Sequence, residues 1–344
     1  MKLFKISITF LFLSLTTQVS SQIFKNAVDY LNFVGKEQKT ITKSMWNYTK
    51  ALAHSKSDRT ISSKRNVLIK SVERAIIKIK RAGSFGGDTY KNQVLGHLNF
   101  NLDLLNQDYA KIVDMKAVAE QSYDAMEAYM LAQELADKKM LESQQEYETN
   151  FYAYANKHKI EIFDEETDLG KKMNISNKVF EHYNKMYLAY FKVSINEVYL
   201  MEALNKSDIG ALQQSANALS ESAKEGLKNL DTLKLYKGDP SVIDATKSIF
   251  NFFIDEADNK IATLTEFLIL NENFKSIKNT IDKTPERKRT KTQIDNFNKQ
   301  VNLVNKGVKE YNKINTYLNT SRQKLLEKLN MAKDNFLAKH IPKE

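Results

Sequence analysis

From Ile294 to Phe336 apolar side chains return on a seven-residue beat: Ile294, Phe297, Val301, Val304, Val308, Tyr311, Leu318, Leu325, Leu329 and Phe336. A stripe of that period lies along one side of a continuous helix. A helix from Glu286 to about Leu337 would be about 75 Å long at 1.5 Å rise per residue. That length makes the molecule elongated. Asn315 and Arg322 sit in the same stripe, where polar residues fix register at some cost in stability. Two further windows repeat at three and four: Leu68, Val72, Ile76, Ile79, and then Ile209, Leu212, Ala216, Leu219, Ala223, Leu227, Leu230. Three prolines and ten glycines in 344 residues leave little material for the turns of a β-protein. The predicted fold is all-α: elongated antiparallel helical bundles with long coiled-coil-like helices.

Breaks are predicted near Ser57–Asp58, Gly83–Asp88, Asp164–Asp168, Ser207–Asp208, Gly238–Pro240 and Thr284–Pro285. Asp239-Pro240 reads as an N-cap followed by a proline at the first helical position, where its missing N–H costs nothing. Two signals recur. Lys-Ser-Asp occurs at 56–58 and 206–208, and an aromatic followed by x-Gly-Asp occurs at Phe85–Asp88 and Tyr236–Asp239. The separation is 27 residues in the first half and 28 in the second. This spacing predicts a degenerate duplication with an offset of about 150 and about four helices per half. The chain then divides into 1–21, a first bundle at 22–165 and a second at 166–344 that ends in the long helix. The three glycines of "GSFGGD" read as a corner, with Phe85 pinned to the core and Asp88 capping the next helix.

The start, MKLFKISITFLFLSLTTQVSSQ, has Lys2 and Lys5, an apolar run over Ile6–Leu15 and small residues before Gln22. That is the layout of a secretory signal peptide over 1–21, and it predicts an exported protein of the cell surface or periplasm. The chain has no cysteine, so a thiol-linked lipid anchor, a disulfide and a thiolate metal site or nucleophile are excluded. The five histidines are His54, His97, His158, His182 and His340, and none has Glu three positions before it as di-iron bundles require. A His-Glu-x-x-His motif, a Gly-x-Ser-x-Gly elbow and a Walker-type phosphate loop are all missing. The sequence implies no cofactor, no metal and no enzymatic activity.

Charge is laid out in blocks. Residues 36–81 carry 13 Lys/Arg against 3 Asp/Glu, residues 82–274 carry 19 against 31, and residues 275–344 carry 17 against 7. The sharpest basic patch is Arg287, Lys288, Arg289 and Lys291, a candidate contact for a partner protein or an anionic glycan or lipid surface. Nucleic-acid fold motifs are missing, and no stretch of the mature chain is apolar enough to span a bilayer. A second candidate site lies in "QSYDAMEAYMLAQE", where Tyr123, Asp124, Glu127 and Tyr129 could surround a cation or small polar ligand, although the default reading of such a stripe is core with a solvated acidic flank.

"WNYTKALAHSKS" (46–57), "DYAKIVDM" (108–115), "EQSYDAMEAY" (120–129) and "EGLKNLDTLKLYKGD" (225–239) resemble a family of exported all-helical bacterial surface proteins, described from spirochaetes and from gliding or marine bacteria. The resemblance spans nearly the whole mature chain. It implies an all-helical fold at the cell envelope and transfers no functional residues. The leading expectation is a non-enzymatic helical binding or scaffold module. The alternatives are an envelope protein that binds small ligands or cations, and a helical pore-forming toxin whose concealed apolar segments would be Ser248–Ile254 and Glu266–Leu270.

Overall fold

The computed structural model describes residues 23–55, 57–163 and 167–343. The predicted signal peptide at 1–21 and the centre of the break at 164–168 lie outside the described residues. The described residues form an all-α protein whose long helices pack antiparallel, with no strands.

α1 spans Ala27–His54 and α2 Asp58–Arg81. α3 (Thr89–Asp103) continues through a π-helical turn, Leu104–Asp108, into α4 (Tyr109–Ala119), and α5 runs Tyr123–Lys157. The second half repeats this order. α6 spans Asp168–Lys206 and α7 Ile209–Thr232. α8 (Ser241–Asp255) passes through a π-helical turn, Glu256–Lys260, into α9 (Ile261–Lys283), and α10 runs Lys291–His340. α2 and α7 are both 24 residues long, α3 and α8 both 15, and each π turn 5.

Capping explains where the helices start. The side chains of Ser57, Ser122, Thr167 and Asp208 each accept the backbone N–H three residues on, satisfying one of the donors a helix start leaves open. The break at Glu120–Ser122 was not foreseen, because the helical pattern runs straight through it. The two π turns were equally invisible, since one extra residue per turn leaves an apolar pattern looking continuous.

Burial repeats with the elements. Leu68, Val72, Ala75 and Ile79 of α2 are buried, and so are Leu219, Ala223, Gly226 and Leu230 of α7, each 151 positions on. Tyr90, Val94, Leu98 and Leu105 match Val242, Thr246, Phe250 and Ala257 at an offset of 152. Along α5 and α10, Ala136, Tyr154 and Ala155 match Leu318, Phe336 and Leu337 at an offset of 182. The jump of 30 falls between α9 and α10. Where the first half turns in the three residues Glu120–Ser122, the second extends both helices into an antiparallel finger over 272–304.

The corners correspond as well. Gly86 and Gly87 have φ of +73° and +100°, and Lys237 and Gly238 have φ of 49° and +75°. The ring of Phe85 meets His158 at 5.6 Å between centroids, and Tyr236 meets His340 at 5.2 Å. "GSFGGD" is thus a chain reversal clamped by an aromatic ring, and Tyr154 closes it by donating its hydroxyl to the Phe85 carbonyl at 2.9 Å. One detail differs from expectation. Asp88 makes no side-chain cap to α3 but accepts the Ser84 hydroxyl at 2.6 Å.

Each half has its own apolar core. The first is built on α1, α2, α3 and α5 and the second on α6 to α10, with Trp46 and Ala53 of α1 inserted into the second. A small third cluster of Ala119, Met126, Phe191 and Ile195 bridges them. The long C-terminal helix begins at Lys291 rather than Glu286, because Pro285 directs Glu286–Lys288 into a separate 3-10 turn. Its predicted stripe is buried only in part. Val304, Leu318 and Phe336 are enclosed, while Ile294 in the finger and Val308 just beyond its base stay 44% and 38% exposed.

Candidate functional site

The finger carries the predicted basic patch at its tip. Its two helices meet through Phe274 and Phe297, stacked at 5.7 Å between centroids, and through Phe267 and Tyr311 at 4.9 Å. Gly307 permits the close approach at the base, since a Cβ there would meet the Phe267 ring at 2.8 Å. At the tip, Arg289 donates through Nε to the Thr284 carbonyl at 2.9 Å and so closes the loop from within. Thr290 and Gln293 form a reciprocal capping box that starts α10. Arg287, Lys288 and Lys291 are exposed, and no salt bridge engages them among the described residues. The four predicted cations therefore divide into three that point outward and one, Arg289, that holds the loop. Residues 272–304 carry eight Lys/Arg against four Asp/Glu.

The second predicted site is differently placed. Tyr123 and Asp124 lie in the first turn of α5. Tyr123, Tyr129 and Met130 pack with Tyr187 and Leu188 around the cluster that bridges the two halves. Asp124 and Glu127 face solvent, and the Tyr123 hydroxyl reaches Glu127 at 3.4 Å. The rings fill a seam while the carboxylates lie outside it, so the four side chains do not converge on a common space. Among the described residues no group of three or more His, Asp or Glu is placed to hold a metal ion.

The structure adds a site that the sequence only hinted at. Arg322 of α10 is enclosed between Glu197 of α6 and Glu256, the first residue of the second π turn, and pairs with both carboxylates. Its guanidinium also donates to the Asn319 amide oxygen at 2.9 Å and lies 5.9 Å from the Phe252 ring centroid. Glu256 is wholly buried, and its Oε2 has no hydrogen-bond partner. Burial pushes the Glu256 carboxyl up to about 7 against the opposing pull of Arg322, with Glu197 and Asp255 adding to the rise. Burial also raises Glu197, opposed by Arg322. Two carboxylates thus compete for one guanidinium in a dry setting, which favours a proton on one of them near neutral pH. Arg322 was visible as a break in the apolar stripe. Its partners lie 66 and 125 positions earlier, and nothing in their local sequence marks them.

No protein-family model, curated protein or solved structure matches the chain.

Two more polar clusters deserve a chemical test. At the second corner Asp239 is buried and accepts from Ser241 N–H at 3.0 Å, Lys339 Nζ at 2.8 Å and His340 Nε2 at 2.8 Å. Burial alone would raise this carboxyl, but those donors outweigh it and hold it well below the usual carboxylate range. The other cluster is a serine–histidine pair, with His97 Nδ1 at 2.8 Å from Ser143 Oγ. Both side chains are buried, the imidazole is stacked on Tyr147 at 4.8 Å, and burial lowers its pKa to about 4. A neutral, enclosed pair of this kind satisfies a polar hole in the core. The apolar segment Ser248–Ile254 is core, with Ile249, Phe250, Phe252 and Phe253 buried, whereas in Glu266–Leu270 Leu268 is buried and Ile269 stays 43% exposed. No helix among the described residues is long and apolar enough to cross a membrane.

Proposed function

We propose that the protein is a non-enzymatic helical adaptor of the cell envelope, built from two duplicated bundles, whose finger carries a basic tip to an anionic partner. The supporting observation is the 30-residue extension of α9 and α10, which the otherwise parallel first half lacks and which ends in Arg287, Lys288 and Lys291. An extension that buries few large side chains adds little to the bundle's stability, which fits a contact role. Three unpaired cations on a projecting turn attract an acidic protein surface or an anionic glycan or lipid headgroup through long-range, salt-screened attraction. The envelope location rests on the leader-like start and on the resemblance of the mature chain to exported surface proteins.

The test is binding to a sulfated polysaccharide and to vesicles containing anionic lipid, measured across a salt series. Wild type should bind either probe with an affinity that falls as salt rises. Arg287→Gln, Lys288→Gln and Lys291→Gln together should weaken binding at least tenfold at low salt. Arg289→Gln alone should act mainly by loosening the loop. Unchanged binding by the triple variant would remove the tip from this role.

A further inference from the structure

We propose that copies of the chain assemble head to tail, the outer face of α2 on one copy docking antiparallel against the outer face of α5 on the next. The α2 face presents Arg59, Lys70, Arg74 and Arg81 to solvent around Val67 and Ile77, which are 50% and 47% exposed. The α5 face presents Glu127, Glu134, Glu142 and Glu148 around Leu131, Leu135 and Leu141, which are 53%, 50% and 58% exposed. Among the described residues no salt bridge joins α2 to α5, and none engages the four α2 cations.

The two faces match in length, apolar spacing and charge. Arg59 to Arg81 and Glu127 to Glu148 each run a little over 30 Å at 1.5 Å per residue. Val67 and Ile77 are ten residues apart, as are Leu131 and Leu141, so each pair has the same rise and the same angular step about its helix. Setting Val67 against Leu141 and Ile77 against Leu131 in antiparallel sense brings Arg81 to Glu127 and Arg74 to Glu134, with Arg59 one residue out of register with Glu148. The parallel arrangement instead sets Arg74 against Lys138. In the antiparallel one the like-charge meeting is Lys70 with Lys138, beside Glu142, whose carboxylate Lys138 already meets at 3.9 Å.

Because the two faces are different surfaces of the same chain, the contact is heterologous and propagates into a ring or an open filament. Every copy supplies one donor face and one acceptor face, which makes a second copy the occupant with the right chemistry in the right ratio. A single helix-on-helix contact covers on the order of 400 Å² per copy, at the weak end of specific interfaces, so assembly is salt-sensitive and needs high local concentration. This assembly does not depend on the finger.

Sedimentation velocity on the purified chain, at about 100 µM and about 50 mM salt where a weak charged contact is populated, decides the matter. Wild type should show concentration-dependent association that weakens at least tenfold at about 300 mM salt. The variants R74E/R81E and E127K/E134K, with helicity and melting checked against wild type, should each stay monomeric alone and re-associate when mixed in equal amounts. K138E removes the like-charge meeting and should strengthen association several-fold. A monomeric wild type, charge-reversed variants that associate as wild type does, or a mixture that stays monomeric would each overturn the proposal.

Discussion

Asp88 and Asp239 stand at the same corner of the two halves, 151 positions apart, and their environments make opposite energetic predictions. Asp88 is exposed and bonds only a serine hydroxyl nearby. Asp239 is buried under three donors from two helices. Asp239→Ala should therefore cost about 2 kcal/mol by leaving buried donors unmatched, while Asp88→Ala should stay within about 0.5 kcal/mol. Chemical denaturation of the two variants measures the difference. Because the folded carboxyl of Asp239 titrates below its unfolded value, its contribution is full above the ordinary carboxylate range and is lost progressively as acid carries the pH below that range. Glu256 has the opposite sign. Its folded carboxyl is raised to about 7, so the linked stability is full below the unfolded pKa near 4.5 and is lost as pH rises through about 7. Relative to Glu256→Gln, wild type should lose on the order of 2–3 kcal/mol between about pH 5 and pH 8. Parallel pH profiles for the two proteins would refute this. The first half has Leu104 where the second has Glu256. Glu256→Leu leaves Arg322 paired with Glu197 and should be neutral or stabilising at pH 8. Arg322→Met strands two buried carboxylates and should cost about 3–5 kcal/mol.

At the scale of elements, the finger is the part that differs between otherwise matching halves. If the halves are equivalent, the bundle does not need it. Replacing 272–304 with Glu-Gln-Ser, the turn at 120–122, should return a folded protein of unchanged helical character per residue. Its melting temperature should lie within a few degrees of wild type, since the excised segment buries few large side chains. A variant that fails to fold, or melts more than about 10 °C lower, would show that the finger braces the bundle. Periodicity foresaw the α2 and α7 faces because both bury one clean row of apolar residues in a core. It overstated α10. A seven-residue apolar beat reports what a helix could bury, and Ile294 and Val308 are left largely exposed. The Glu120–Ser122 break was hidden because Ser122 caps α5 without any Gly or Pro to announce it.

Across the whole molecule the two cores are not independent. Trp46, the single tryptophan, belongs to α1 yet is buried in the second core, and Ala119 and Met126 join Phe191 and Ile195 across the seam. The halves should therefore unfold together, with denaturation curves from tryptophan fluorescence and from circular dichroism coinciding. Two separated midpoints would show that the seam is too weak to couple them. The amino-acid sequence by itself determined the helical class, the order of the helices and most of their ends, because helix period, capping chemistry and glycine at positive φ are local properties written over a few residues. Tertiary structure alone decided that Arg322 meets Glu197 and Glu256, that the core stripe of Tyr123 and Tyr129 packs at the seam between the two halves, and that only three of the four tip cations face outward. Those outcomes depend on which helix packs beside which, and burial, not residue type, sets the charge state and the accessibility of each group.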